Sequence, residues 1–412
     1  MRPATQRIHS LRRHFEGTAR MSATRIILAS PPRGAEDPPA NTPHGTFPAG
    51  SGGDTLPRLV AIDSFRGLAI LLIVAGHLIY VAGLHVDTFQ EKVLVNLVKG
   101  GTSFFVFISG FLFHYLLPQE FQYRRFLRQK AEYVLLPYLV MSAFFMTYDV
   151  AVRQQPMPSY GEPVFPYGID QCRRFASSVI QQLWTGEHLD GYWYVPFIMA
   201  IFLVSPAFLR YTKLQVAARL AIMGAAILVA MFVHRPVNNL SVLQSGVYFL
   251  PVYLLGINVS MDRERVLRRL AGKEWLLGIV LLGLSVTQVA WYRQYDNMHK
   301  PALEWGGADL NLVQKMLACL FLYSIFSRME RLDQPVLKTL AASSFAIYFL
   351  HPMVIKFLST CGGREWLSSA YGPLPGIVLW ILWTLVVTTL SYGIAITIRW
   401  LVPGVSRRII GW

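Results

Sequence analysis

Residues 62–83 read IDSFRGLAILLIVAGHLIYVAG. Most of this stretch is Leu, Ile, Val, Ala and Gly, the composition a bilayer accepts, yet it carries Asp63, Arg66 and His77. A hydrocarbon core about 30 Å thick is crossed by about 20 helical residues, so the stretch is long enough to span it. Ionisable groups inside such a span are expensive and must face a bundle interior or a water-filled cavity.

The rest of the chain repeats the pattern. Of 412 residues, 53% are hydrophobic and 15% charged, where soluble domains carry about a quarter charged. Mean hydropathy is +0.40. Ten apolar spans are expected, at 61–84, 93–117, 133–152, 191–209, 217–234, 244–260, 274–292, 309–327, 339–360 and 376–401. Backbone in lipid must satisfy its hydrogen bonds within its own segment, so these spans fold as helices. The expected fold is therefore an all-α integral membrane protein, a bundle of about ten transmembrane helices. Residues 1–57 differ, being rich in Pro, Gly, Ser, Thr and Arg. They bury too little apolar surface to offset ordering entropy and form an expected disordered arm. The membrane domain is 58–412.

The formal net charge is +15. About 25 of the 38 Lys and Arg fall in the N-terminal arm, one alternating set of loops and the tail, and about eight in the other set, a bias that places both termini in the cytoplasm. No recognition module accompanies the charge, so nucleic acid is not an expected partner and membrane lipid is. The long loop 153–190 is expected outside. The three cysteines, Cys172, Cys319 and Cys361, show no CxxC and no metal spacing. Cys172 and Cys361 fall on the same expected side, where two thiols are favoured over a disulfide. No metal is expected. No internal repeat is visible, which argues against a transporter built from inverted halves.

On a helix, Arg66 and His77 are eleven residues apart, or three turns plus about 20° and about 16 Å of rise. They share one face, and Asp63, one turn before Arg66, joins it. One reading is a polar clamp, with Asp63 on Arg66 and His77 bonded to a neighbouring helix. The other is acyl transfer. A histidine can take the proton of a hydroxyl attacking a thioester, or carry the acyl group itself. An arginine at the mouth can hold phosphates. The separation suits a flexible arm such as the pantetheine of coenzyme A.

An arginine and a histidine with ten residues between them in the first span resemble the signature of the acyltransferase-3 family of integral membrane O-acyltransferases, which act on bacterial exopolysaccharides and surface glycans. Four further stretches are similar to that family in the same order: FFVFISGFLF (104–113), YWYVPFIMAIFLVSP (192–206), LPVYLLGI (250–257) and SSFAIYFLHPMVI (343–355). The resemblance covers about residues 58–401. It implies a bacterial inner-membrane enzyme moving an acyl group, expected to be acetyl, from cytoplasmic acyl-CoA to a glycan hydroxyl, with polysaccharide-synthesis machinery as a candidate partner. His77 would be base or acyl carrier, Arg66 would orient the CoA and Asp63 would fix Arg66. The family's basic RxxR pair would fall at Lys130 and Tyr133 by spacing to LLPY (135–138). Arg125 and Arg128 form RxxR about five residues earlier. Arg125, Arg128 and Lys130 are all taken as CoA-binding candidates, beside the alternative of a positive-inside cluster.

Trp193 and Tyr194 suit either interfacial anchoring or stacking on a sugar ring. Ser109 is a candidate pocket residue, and glycines 67, 76 and 83 suit close helix packing. His188 and Asp190 are weaker acceptor candidates. His351 precedes Pro352, which frees a carbonyl one turn back, and is a candidate pocket wall supporting His77 or the acceptor. Lys99, Lys315 and Lys356 can snorkel. The rival classes are a transporter or flippase of a polysaccharide or small anion, and a scaffold.

Overall fold

The computed structural model describes residues 59–117, 120–151, 169–330, 332, 334–361 and 375–412. The arm 1–57 and the first part of the 153–190 loop lie outside the described residues. Among the described residues the regular elements are all helices. They are α1 (Val60–Leu78), α2 (Phe89–Val98), α3 (Thr102–Tyr115), α4 (Tyr123–Lys130), α5 (Leu136–Ala151) and α6 (Ile169–Thr185). Then come α7 (Tyr194–Leu203), α8 (Ser205–Thr212), α9 (Val216–Val233), α10 (Val242–Met261) and α11 (Arg263–Leu270). The remainder are α12 (Glu274–Trp291), α13 (Leu310–Arg328), α14 (Pro335–Thr360), α15 (Gly376–Leu401) and the short α16 (Ser406–Ile409). Nine helices or near-continuous helix pairs among the described residues are long and apolar enough to cross a membrane, and α7 with α8, bent by 57°, makes a tenth. The ten expected spans are all present.

Three segments depart from expectation. Residues 169–185 of the expected loop form α6, whose sequence IDQCRRFASSVIQQLWT is amphipathic and too polar to register as a span. The basic stretches YRRFLRQK and RERVLRRL form α4 and α11, one apolar stripe against several arginines, as interfacial helices do. The second span breaks at Gly100, whose φ of +86° few side chains adopt. That break explains Lys315, which is 2% exposed and does not snorkel. Its ammonium donates to the carbonyls of Asn96 (2.7 Å) and Leu97 (3.0 Å), the orphan acceptors at the end of α2. Lys99 and Lys356 are instead paired with Asp296 and Asp149.

Lipid gives helices little hydrophobic reason to associate, so close packing and interhelical hydrogen bonds hold them. A Cβ at Gly110 would lie 2.1 Å from the Tyr253 carbonyl oxygen, and one at Gly256 would lie 2.1 Å from that of Phe107, so α3 and α10 touch backbone to backbone. Gly67 likewise lets α1 meet Leu337 of α14. Gly76 faces open space, so it lacks the packing role expected of it, and Gly83 ends a turn at φ +76°. Gln314 donates to Asn96 (2.9 Å) and accepts from Gln288 (3.3 Å), an amide network joining α13, α2 and α12. No disulfide joins the described cysteines.

Candidate active site

Helix α1 lies along α14, and its polar stripe faces that helix. Arg66 donates from Nε to Ser344 Oγ at 2.6 Å, and its guanidinium carbon lies 5.7 Å from the centre of the Phe345 ring. Three turns on, the ring of His77 meets the ring of His351, with centroids 5.3 Å apart and planes inclined by 47°. Arg66 and His77 thus share the face predicted for them. Asp63 is half-buried one turn before Arg66.

The third wall near His77 is the turn before α7. Gly191 sits at φ +88°, and a Cβ there would lie 3.2 Å from His77 Nε2. The turn is pinned by tyrosines: Tyr348 donates to the Gly191 carbonyl (2.6 Å) and Tyr192 to that of Phe349 (2.8 Å). Between these walls is a narrow cleft. It is lined by Ile73 and His77 of α1, Thr102 and Phe105 of α3, Gly191 and Tyr194, and Phe345 and Tyr348 of α14. Ile73 follows Arg66 by two turns and Phe345 touches Arg66, so the cleft runs along the stripe.

His351 is fully buried. Its Nδ1 lies 2.9 Å from the Ile347 carbonyl oxygen. A carbonyl only accepts, so Nδ1 carries the hydrogen of the neutral ring and Nε2 is left an acceptor. Nε2 has no hydrogen-bond partner among the described residues. His351 thus packs its ring against that of His77.

At the opposite end of the stripe the basic candidates separate. Arg125 and Arg128 are exposed on α4. Lys130 turns inward over the Phe126 and Phe202 rings (5.3 and 4.9 Å) and feels the charges of Arg66 and Arg407. Arg407, from the segment after α15, lies 4.1 Å over Tyr133, and Arg408 beside it bonds Glu132 at 2.9 Å. Lys130 is thus within electrostatic reach of both Arg66 and Arg407, which come from two other segments, while Arg125 and Arg128 stay exposed. The turn of π-helix at Ala131–Leu135 shifts the register between α4 and α5, which is how Lys130 faces inward.

The remaining candidates are placed as follows. Tyr194 lines the cleft, with its hydroxyl 3.4 Å from Ser109 Oγ, so Ser109 supports the wall without lining it. Trp193 is buried, 8% exposed, and stacks on Phe249 with centroids 5.9 Å apart, so it is not an interfacial anchor. His188 is bonded to Ser142 Oγ (2.9 Å) and the Gln182 carbonyl (3.2 Å). Burial lowers its pKa to about 4, and its two bonds link α5 to α6. Asp190 is exposed and acts electrostatically on His77. Sequence reasoning missed Gly191, Tyr348, Phe345 and Arg407. Gly191 had a signal, as glycine directly before an aromatic cluster, and Phe345 and Tyr348 lie in the 343–355 stretch, whose individual roles the motif did not give. No group of three or more His, Cys, Asp or Glu suited to a metal occurs among the described residues.

No curated protein and no solved structure matches the chain. A family model described as an acyltransferase domain, acyltransferase-3, matches residues 59–400 and so takes in every wall of the cleft. With a match spanning most of its length, a helical membrane architecture and the arginine and histidine of its first span in one groove, the chain belongs to the acyltransferase-3 family of membrane acyltransferases.

Proposed function

We propose that the protein moves an acyl group, acetyl by preference, from acyl-CoA to a hydroxyl of an exopolysaccharide or lipid-linked glycan. The observation that carries this reading is the groove between α1 and α14. It has a cationic cluster at one end, an imidazole pair about 16 Å along the helix, and a cleft reaching from Phe345 to His77. Arg66 and Lys130, with Arg407, suit the diphosphate of CoA, since guanidinium and ammonium groups bind phosphate through charge-assisted hydrogen bonds. The loop charge bias supports a cytoplasmic position for this end, where acyl-CoA is available.

In the proposed step the acceptor oxygen attacks the thioester carbonyl carbon while His77 takes its proton. The tetrahedral intermediate then collapses, the C–S bond breaks, and the imidazolium returns the proton to the departing thiolate. The products are an ester and free CoA. Transfer through an acyl-His77 intermediate uses the same groups in two steps. His351 contributes by packing against the imidazole. A buried, largely apolar cleft excludes water, which favours transfer over hydrolysis.

The test is transfer of labelled acetyl from acetyl-CoA to glycan in proteoliposomes. A general base contributes about 10²–10⁴-fold, so His77→Ala is expected to lose at least a hundredfold in kcat. Undiminished transfer by the folded variant refutes the assignment. Glycan flux without CoA release would point to the transporter class instead.

A further inference from the structure

Arg235 lies between α9 and α10, at the His77 end of the groove, and the proposed reaction gives it no task. Its side chain is buried, 4% exposed. Its guanidinium lies beside the stacked Trp193 and Phe249 rings, 5.3 Å from each centroid. Among the described residues no ion pair or hydrogen bond engages it, and Nε is buried without an acceptor. The nearest carboxylates are committed elsewhere. Asp309 accepts from Tyr248 (2.9 Å) and caps α13 through the Asn311 amide (2.8 Å), and Asp296 pairs with Lys99. A buried guanidinium whose Nε finds no acceptor has lost water without regaining that hydrogen bond, which is unfavourable.

The backbone holds Arg235 in place at some expense. His234 adopts φ 58° and ψ −179°, a region that side chains other than glycine rarely enter. The strained residue is fixed by His234 Nε2 to the Gly307 carbonyl (2.8 Å), and Arg235 itself accepts at its carbonyl from the Lys300 amide (3.0 Å). Such strain concentrates where function needs a side chain held in one place. The position is also close to the chemistry. Trp193 adjoins Tyr194, which lines the cleft, and the Arg235 charge is felt at His77. Its end of the bundle is the one the charge bias leaves outside, where topology does not call for cations.

We infer that Arg235 is an acceptor-binding residue that recognises a carboxylate on the sugar to be acylated, making the acceptor an acidic, uronate-bearing glycan. This rests on the acyltransferase reading above. A planar guanidinium offers a carboxylate two parallel hydrogen bonds, and the flanking aromatic rings hold that fork at a fixed orientation. A single open fork matches a singly charged carboxylate better than the diphosphate of a lipid carrier. The neighbouring Lys300 and Lys315 already donate to carbonyl oxygens.

The test uses the full chain in nanodiscs, with binding followed by tryptophan fluorescence. The probes are methyl glucuronoside and methyl galacturonoside, their neutral hexoside counterparts, and farnesyl phosphate. The parent and His77→Ala are expected to bind at least one uronoside tenfold or more tighter than its neutral counterpart. Arg235→Gln is expected to erase that ratio, and Arg235→Lys to keep part of it. The melting temperature of Arg235→Gln should equal or exceed the parent's, because a desolvated charge has been removed. The inference is overturned by equal parental binding of acidic and neutral sugars, by a ratio that survives Arg235→Gln, or by farnesyl phosphate binding tenfold tighter than either uronoside. A loss of binding accompanied by a lower melting temperature also overturns it, since Arg235 would then be structural. If discrimination depends on Arg235 but no CoA is released with any acceptor, the acyltransferase mechanism fails and this site stands. If transfer proceeds equally to acidic and neutral sugars in parent and variant, the mechanism stands and this site fails.

Discussion

Gly191→Ala isolates the position of the imidazole from its chemistry. Gly191 sits at φ +88°, where an L-residue is strained by about 1–2 kcal/mol. Its new methyl would also meet His77 Nε2 at 3.2 Å, inside ordinary van der Waals contact. Tyr348 holds the Gly191 carbonyl at 2.6 Å, so the turn cannot simply retreat and the imidazole must move by a few tenths of an ångström. A misplacement of about 1 Å at a catalytic group lowers rate by about a hundredfold, so a shift of this size predicts a fall in kcat of about tenfold. That is about 1.4 kcal/mol of barrier. The KM for acyl-CoA should not move, because the cationic cluster lies three turns away. The assay is release of free CoA thiol in nanodiscs. Gly76→Ala, beside His77 but facing open space, is the control and should keep parental kcat. Parental kcat in Gly191→Ala, or an equal loss in Gly76→Ala, would refute the argument that this turn positions the base.

Three further outcomes follow from the geometry. Lys130→Met should raise the KM for acyl-CoA about tenfold, while Arg125→Met and Arg128→Met, on exposed residues, should stay within about twofold; equal effects in steady-state kinetics would return the RxxR to the site. His188 stays neutral in the fold to about pH 4 while the unfolded chain titrates near 6.5, so the unfolded state binds more protons between those values. Its contribution is complete above pH 6.5 and is lost as pH falls toward 4, at most about 3 kcal/mol, and melting curves of His188→Gln should be flatter across that window. Gly256→Ala places a methyl 2.1 Å from the Phe107 carbonyl oxygen, so α3 and α10 must part. The variant should lose its monodisperse elution and melt lower, and an unchanged melting temperature would mean the helices are less tightly apposed.

Much of the fold was legible because a membrane span announces itself through length and uninterrupted apolarity, both properties of contiguous residues. The same signal is silent about amphipathic helices. Helices α4, α6 and α11 average their apolar stripe with charge and so passed for loops. The break at Gly100 was hidden because apolar residues continue on both sides of it, and with it the reason for a buried Lys315. Lysines in spans were expected to snorkel, but an interior carbonyl pair was a nearer partner than the interface.

Helical periodicity alone put Arg66 and His77 on one face, because eleven residues is close to a whole number of turns. The family motifs added an activity to that face. What periodicity could not supply is which other helix the face meets. His351 and His77 are 274 positions apart, and Gly191, which lines the cleft, and Arg235, which lies beside Trp193, come from separate turns. Their meeting is decided by how closely α1 and α14 pack through small residues, and by tyrosines that bond carbonyls across the bundle. The residues that make a stripe are set by the rise and twist of one helix. The residues that close it into a site are set by packing between helices, which depends on all of them at once.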